Sequence, residues 1–429
     1  MTATQDILQF AGASHELPLA VRKDAARLLA DTLATGAAGA ASLEARMLRS
    51  ALDRWCGSGG AARLLSGNNG RLPASQAAFF NGFAIHCLEW DAVHDTAVVH
   101  ALSVVTAALL AASDERGGSD SDEFLTALAV GVDIASGLGI AAMGPMRFFR
   151  PATAGIIGAA LAVARLESLA PEQFADVLGM AYSFTGGTMQ AHVEASVALP
   201  LQIARAAQGA VQAVGLVRAG FGGPHDVIQG PFGYSELIEP LALEDYTVTL
   251  GETWRISEIS VKPFPSGRAS HGALGALQAL RAEGSVSADN WARIELFAPP
   301  LVNRLVGRVY RKGAPASYNR LCLAFLAPLM LRDGHIDPRL DETEEAAAAN
   351  VIVSLVGSPD HNALSPQRLV IDLRDSTRIE RVIKASPGSP GAPMSPEQAA
   401  AKYSLCRELA KACDPVIFTD PLRYATDPQ

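Results

Sequence analysis

The chain has 429 residues, of which 49% are hydrophobic and 18% charged, enough apolar content for a large buried core and for two domains. A formal net charge of −9 at pH 7, with no local run of lysine and arginine, argues against nucleic-acid binding. The five cysteines have no paired spacing, which disfavours a disulfide framework and favours a reducing, cytoplasmic environment.

The sequence also argues against membrane association. The uncharged run over residues 97–113 is too short for a membrane span and is polar at its ends. The first residues lack a basic segment followed by an apolar one, so no targeting signal is predicted. We therefore expect a cytoplasmic protein.

Helical spacing of apolar residues predicts a largely α-helical first part of the chain. Abundant alanine and glycine favour close packing of these helices over a β-sandwich. The predicted helices cover residues 18–36, 43–55, a start at 73–83, 122–139, 155–164 and 204–219.

After about residue 256 the pattern changes to short β-branched segments that alternate between polar and apolar residues, as half-buried strands do. A smaller α/β domain is therefore predicted after the helical one. Its predicted strands are 293–297, 351–356, 369–373 and 378–383, its predicted helices are 270–283 and 321–332, and a further helix is predicted from 396 to about 412.

One stretch concentrates titratable side chains ahead of the uncharged run. His86, Glu89, Asp91, His94, Asp95 and His100 fall within fifteen residues. The spacing predicts that His86, Glu89 and Trp90 share one face of a helix. Burial and neighbouring charges can bring the pKa values of such groups close to neutral pH, which is what general acid–base catalysis requires.

Two other interpretations of this stretch stay open. Its members could be ordinary surface and capping residues. Alternatively, His86 and Glu89 with His94 or His100 offer suitable metal-ligand types, but their spacing matches no established metal motif. We therefore predict that the protein binds no metal.

A second group of candidates lies on either side of a proline-rich segment. Lys262, Ser266 and His271 flank Pro263 and Pro265, which exclude a continuous helix, so a stiff loop could direct these side chains into a cleft. In the alternative, Lys262 is a surface residue and His271 bonds to the backbone at the start of a helix.

Weaker candidates for substrate binding are His192, which lies two residues from Glu194, and a group formed by Tyr318, Asn319, Arg320 and Arg311. A solvated loop is the alternative for His192. The glycine-rich segment 220–223 has no following Lys-Ser/Thr and no preceding strand, so no nucleotide cofactor is predicted.

Six motifs in order along almost the whole chain resemble the MmgE/PrpD family, which contains 2-methylcitrate dehydratases, cis-aconitate decarboxylases and iminodisuccinate epimerases. The motifs are Asn81-Gly82 through His86, Glu89-Trp90-Asp91 and His100; Pro151-Ala152-Thr153; 219–224; Lys262 to Ser266 with His271; Asp333-Gly334; and Pro387-Gly388 through Lys402-Tyr403.

The resemblance implies a mainly α fold, with an all-helical core domain over residues 1–257 completed by 403–429, and a smaller α/β lid domain over 258–402. It implies a homodimer and a cofactor-independent site between the domains for a small carboxylate-bearing substrate. Decarboxylation, dehydration or epimerisation there depends on proton transfer next to a carboxylate. The catalytic candidates are His100, Asp91, Glu89, Lys262 and His271, and the substrate-binding candidates are His94, Arg150, Ser266, His192 and Tyr318.

Departures from the family pattern leave the reaction open. Arg150 stands where the family has a histidine, Leu199 and Gln202 where it has a lysine and a histidine, and Phe325 where a tyrosine is frequent. Arg150 keeps a fixed positive charge that suits a carboxylate. The alternative to an enzyme is a catalytically degenerate dimeric scaffold or a small-molecule binding protein.

Overall fold

The computed structural model describes residues 2–57, 59–67, 70–340 and 348–429. The protein is mainly α, as predicted. The long helices are α1 (Ala3–Gly12), α2 (Leu19–Ala40), α3 (Leu43–Cys56), α4 (Ala74–His86), α5 (Ala101–Glu115), α6 (Ser121–Ile140), α7 (Arg150–Leu166), α8 (Gln173–Ser183), α9 (Ala198–Arg218), α10 (His271–Ala282), α11 (Leu323–Asp333) and α12 (Pro396–Leu409).

Shorter helical turns connect these elements. They are Gln190–Val193, Tyr234–Leu237, Glu244–Thr247, Arg255–Glu258, Arg268–Ser270, Pro300–Val306, Ala316–Asn319, Ala348–Asn350, Val416–Thr419 and Pro421–Thr426. Helix α1, which the apolar pattern did not predict, begins with a capping box between Thr2 and Gln5.

The centre of the helical part is α5, which packs against α4, α6, α7 and α9. Its residues 101–114 are all buried, because Ala, Val, Leu, Ser and Thr occupy every side of this helix up to its last turn. The surrounding core also takes in residues from both chain ends, such as Phe10 and Tyr424. Each fully buried Val or Leu contributes about 1.5–3 kcal/mol, so α5 is a rigid support for the residues that precede it.

Close helix packing explains why helix α2 continues past the predicted end near Gly36. A Cβ at Gly39 would lie 1.9 Å from the carbonyl oxygen of Ala84 on α4, so glycine is needed for the contact between the two helices. Gly36 and Gly39 therefore allow α2 to pack closely against α4 and do not end the helix, which runs to Ala40. The prediction of an earlier end was wrong for this reason.

The strands form two sheets. A small antiparallel pair joins β1 (Ala62–Arg63) to β2 (Arg71–Leu72). The second sheet has the order β4 (Val351–Leu355), β3 (Trp291–Ala298), β5 (Gln367–Leu373) and β6 (Arg378–Ile383), with β3 and β4 parallel and the other pairs antiparallel. All four predicted strands are present.

A separate hydrophobic cluster forms where α10 and α11 pack near the four-stranded sheet. It includes Leu274, Leu326, Ile294 and Ile371. Alternate residues of β3 contribute to it, as the sequence alternation predicts. The proposed domain limits, 1–257 with 403–429 and 258–402, stay a prediction.

Among the described residues, α6 alone is long and apolar enough to cross a membrane by length and composition. Its most apolar window has a mean hydropathy of 1.5, and 89% of that window is buried inside the protein. A core helix passes the same test.

Substituting Gly39 tests the contact between α2 and α4. Gly39→Ala should lower the free energy of unfolding by about 1–3 kcal/mol, because the new methyl group forces α4 away. Gly215→Ala is the matched control, since Gly215 also lies inside a helix but has no atom within 4 Å of its added Cβ. This control should gain about 0.5–1 kcal/mol. Urea denaturation measures both, and an equal stability change in the two variants would contradict the packing argument.

Candidate functional site

The chain reverses direction immediately after α4. Helix α4 ends at His86, and Glu89 has a φ of 53°, in the left-handed backbone region that residues other than glycine rarely adopt. The ammonium of Lys262 donates to the carbonyl oxygen of Glu89 at 2.9 Å, which holds this conformation. The prediction that His86 and Glu89 share a helical face was therefore wrong. The turn brings the following carboxylates back onto His86.

Asp91 is the centre of the resulting cluster and is fully buried. One of its oxygens, Oδ2, lies 2.9 Å from Nδ1 of His86 and 2.9 Å from Nδ1 of His100. The hydroxyl of Ser103 donates to the same oxygen. Burial acts to raise the pKa of Asp91, but His100 and His86 hold that pKa well below its ordinary value. Because a carboxylate can only accept, each Nδ1 carries a proton, and each ring keeps Nε2 for other contacts.

The two imidazoles differ in proton affinity. Burial opposes the charged form of His86, but Asp91 and Glu89 outweigh it and raise the pKa of His86. For His100, burial dominates over Asp91, and Lys262 also contributes, so its pKa is lowered. As the pH falls toward neutrality, His86 therefore takes up a proton before His100, which stays neutral. The two rings meet edge to face, with centroids 4.8 Å apart.

Glu89 and Lys262 complete the charge balance. Burial acts to raise the pKa of Glu89, but Lys262, His86 and His100 lower it to about 2. The Lys262 ammonium lies 3.2 Å from Oε2 of Glu89 and 3.9 Å from Oδ1 of Asp91, and its side chain is fully buried. The positive charge of Lys262 therefore offsets the negative charges of both carboxylates.

A cavity of about 50 Å³ lies in front of this cluster. Its walls are mostly apolar, with His86, Glu89, His100 and His192 among the polar groups. The lining residues are His86, Glu89, Val93, Asp95, Val98, His100, Met146, Phe149, Pro151, Met189, His192, Leu199, Gly267, Arg268, Ala269, Leu305, Leu321 and Leu364. Ligand pockets commonly measure about 300–1,000 Å³, so this cavity is much smaller than a typical ligand pocket.

The same cluster includes one possible metal-ligand set. His86, Asp91 and His100 each place one ligand atom within 4.8 Å of the others. However, Oδ2 of Asp91 already receives three donors, and the buried Lys262 cation lies close to Oδ1. These donors and this charge compete with a metal ion and suit proton transfer. The expectation of a metal-independent site stays a prediction.

Several predicted site residues do not line the cavity. His94 contacts Glu258 at 2.9 Å. The Ser266 hydroxyl contacts that of Ser270. The ring of His271 lies 3.3 Å from the carbonyl oxygen of Ser266, as the structural alternative for this residue predicted. Tyr318 donates to the carbonyl oxygen of Val309.

Arg150 has a different environment from the one predicted. Its guanidinium is buried and bonds Glu239, with Nε 2.7 Å from Oε2, while Nη2 also donates to Asn362 at 2.9 Å. The carboxylate of Glu239 therefore compensates its charge, so Arg150 does not offer a free cation to a substrate.

His192 lines the cavity, as its prediction as a binding residue requires. Burial, together with the cation of Arg308, lowers the pKa of His192 to about 4. The ring is neutral at physiological pH, so it can form hydrogen bonds but cannot carry a positive charge.

Two features of the site were not predicted, the pairing of Arg268 with Asp95 and the contact of Ser103 with Asp91. Arg268 donates to Asp95 through Nε at 2.7 Å and Nη2 at 2.8 Å, and both residues line the cavity. No local pattern indicates this pair, because the partners are 173 residues apart. Ser103 was detectable in principle, since it lies three residues after His100 at the start of α5.

Comparison with known proteins adds a family assignment. The MmgE/PrpD N-terminal domain matches residues 11–241. The chain is 26% identical over 440 residues to the cis-aconitate decarboxylase-like protein oryM of Aspergillus oryzae, an alignment that covers 92% of this chain and 88% of that protein.

Mammalian relatives match a shorter region. The cis-aconitate decarboxylases of Homo sapiens and Mus musculus are 27% and 28% identical over 222 residues, which is 49% of this chain and 45% and 44% of theirs. Similarity to these decarboxylases supports an enzyme with a lyase-type function. With more than half of its length matched by the family's N-terminal domain, the chain belongs to the MmgE/PrpD family.

Proposed function

We propose that the protein is a cofactor-independent lyase that decarboxylates a small unsaturated polycarboxylate of the cis-aconitate type. The observation that carries this proposal is the pair of imidazoles on the Asp91 carboxylate, at the wall of a mostly apolar cavity. The names of the relatives support decarboxylation over the other reactions of the family. A cytoplasmic homodimer is part of the same proposal.

The chemistry follows from where charge and proton must go. The bond between the substrate carbon and the departing carboxylate breaks, CO₂ leaves, and the electron pair delocalises over the neighbouring double bond and its remaining carboxylate. A proton must then be delivered to carbon, forming the new C–H bond. The imidazole pair supplies that proton, and a proton from water restores the pair.

The two histidines have different parts in this scheme. His86 stores the proton near neutral pH because Asp91 and Glu89 stabilise its charged form. His100 is the more exposed of the two, at 9% against 1%, so its ring contacts the substrate. Phe149, Leu305 and Leu321 keep water from the cavity, which destabilises the anionic carboxylate and favours loss of CO₂.

Dehydration and epimerisation remain the alternatives within the family, since both also need a proton acceptor and a proton donor beside a carboxylate. Incubation with cis-aconitate, 2-methylcitrate and iminodisuccinate separates the three outcomes, because only decarboxylation releases CO₂. A non-catalytic binding protein is the alternative from another class. It is motivated by Leu199, which lines the cavity without offering charge, and it predicts binding without turnover.

His100→Asn tests the proton-transfer role. Turnover of cis-aconitate should fall by about two to four orders of magnitude, the usual contribution of a general acid or base, while asparagine retains a polar contact to Asp91. His225→Asn is the matched control, because His225 also contacts an aspartate but is exposed. Steady-state rates measure both variants. Parent-like turnover by a folded His100→Asn variant would make His100 a structural residue.

Glu89→Gln tests the proton store. Decarboxylation needs a protonated pair, so kcat/KM should fall as pH rises through the raised pKa of His86, at a midpoint above 6.5. Glu89→Gln removes one of the negative charges that raise this pKa, so the midpoint should move to lower pH.

Histidine NMR titrations provide a readout of the same shift that needs no substrate, with His86→Asn to assign the resonance. The control is Glu194→Gln, which changes an exposed glutamate that bonds Gln190. An unchanged or higher pKa for His86 in Glu89→Gln would refute the proposed charge coupling.

A further inference from the structure

The buried lysines and arginines of this protein differ in whether a carboxylate lies close enough to form an ion pair. Four of them have a carboxylate within ion-pair distance. These pairs are Arg150 with Glu239, Lys262 with Glu89, Arg268 with Asp95, and Lys402 with Asp31. Over the described ranges, Arg320 is the remaining buried lysine or arginine and has no such carboxylate.

The contacts of Arg320 leave part of its guanidinium unsatisfied. Arg320 is 6% exposed, and its Nη2 donates to the carbonyl oxygen of Pro338 at 2.7 Å. Nε is buried and has no hydrogen-bond acceptor among the described residues. The carboxylates of Glu44 and Glu89 act on this charge only from beyond ion-pair distance. A guanidinium stays charged in proteins, and a buried charge without a direct partner costs several kcal/mol by order of magnitude. An anion bound at Nε would offset this cost.

Arg320 lines a small cavity of about 20 Å³ that also borders the proposed active site. His86, Glu89, Leu199 and Leu321 line both this cavity and the larger one, so the two spaces meet at these side chains. The small cavity has room for about one carboxylate oxygen, the part of a carboxylate group that would accept a hydrogen bond from Nε of Arg320, while the rest of the group lies toward the larger cavity.

Backbone contacts fix the position of Arg320 relative to the larger cavity. The carbonyl oxygen of Arg320 accepts a hydrogen bond from Gly267 at 2.9 Å, next to the cavity residue Arg268. Because Arg268 is already paired with Asp95 and Lys262 with Glu89, neither provides a free cation to a polyanionic substrate. Arg320 has no such carboxylate partner, so its guanidinium is the cation that remains for the substrate.

We propose that the small cavity is a carboxylate subsite in which the guanidinium of Arg320 binds one carboxylate of the substrate. A polycarboxylate anchored there extends past Leu199 and Leu321, and its next carbons lie against His86 and His100. The subsite deepens the proposed function and rests on it for the identity of the reacting ligand, while binding of the carboxylate itself can be tested separately.

The test compares Arg320→Gln with Arg320→Lys and with Arg374→Gln. Arg374 is the matched control because it is an exposed arginine that also donates to a backbone carbonyl oxygen, that of Asp289. The probe for binding is tricarballylate, a saturated tricarboxylate, measured by calorimetry, and the probe for turnover is cis-aconitate. Arg320→Gln should weaken tricarballylate binding and raise KM by about 10- to 100-fold, as expected for a charge-assisted hydrogen bond. Arg320→Lys should recover part of the loss, and Arg374→Gln should match the parent.

A stability measurement excludes a merely structural role. Without ligand, Arg320→Met should have a urea midpoint equal to or above that of the parent, because it removes a buried charge that has no carboxylate within ion-pair distance. A much lower midpoint would overturn the subsite, as would parent-like tricarballylate binding by Arg320→Gln or no binding by the parent. CO₂ release decides the proposed reaction independently: Arg320-dependent binding without turnover would leave the subsite standing and refute the decarboxylase.

Discussion

Compensation of the Asp91 charge, in a place where water cannot solvate it, determines the arrangement of the site. An isolated carboxylate at this depth would take up a proton, because burial penalises its charged form. Two imidazoles, the Ser103 hydroxyl and the nearby Lys262 ammonium instead keep it ionised. The same contacts orient both rings through Nδ1. Orientation and charge stabilisation are therefore a single interaction, and loss of either imidazole would disturb the other.

Two buried lysines hold the backbone on which these carboxylates lie. Lys262 donates to the carbonyl oxygen of Glu89, and Lys402, from helix α12, donates to that of Trp90 at 3.2 Å. Lys402 is itself paired with Asp31 on α2 at 2.6 Å. Segments that are distant in sequence thus meet on two consecutive residues, Glu89 and Trp90. The left-handed conformation of Glu89 persists because these contacts outweigh its local strain.

The sequence predicts the composition of the site better than its geometry. The density of acids and histidines between residues 86 and 100, before an uncharged run, correctly indicates a buried cluster at the start of α5. The mainly α fold and the four strands follow from apolar periodicity. The turn at Glu89 does not, because its stabilising partner Lys262 lies 173 residues away.

The same limit explains the other differences. The prediction that Arg150 binds substrate rests on its place in the family pattern and its positive charge, and no local signal indicates its partner Glu239, which is 89 residues further along the chain. Helix α2 was ended early because its glycines are explained by α4 and not by their neighbours in sequence. Local patterns determine elements, whereas the identity of a charge's partner depends on tertiary packing.

The small volume of the main cavity has a kinetic consequence. A space of about 50 Å³ is smaller than a six-carbon acid of the proposed substrate class, so under the proposed function its walls must separate for each molecule that enters or leaves. The walls combine His86 and His100, at the end of α4 and the start of α5, with Arg268 and Leu305 from the short helical turns Arg268–Ser270 and Pro300–Val306. Separation of these walls exposes the apolar lining to water and so has a barrier of its own. For the proposed lyase, bond cleavage and this wall movement would then both limit the turnover rate, as in enzymes that close around their substrates.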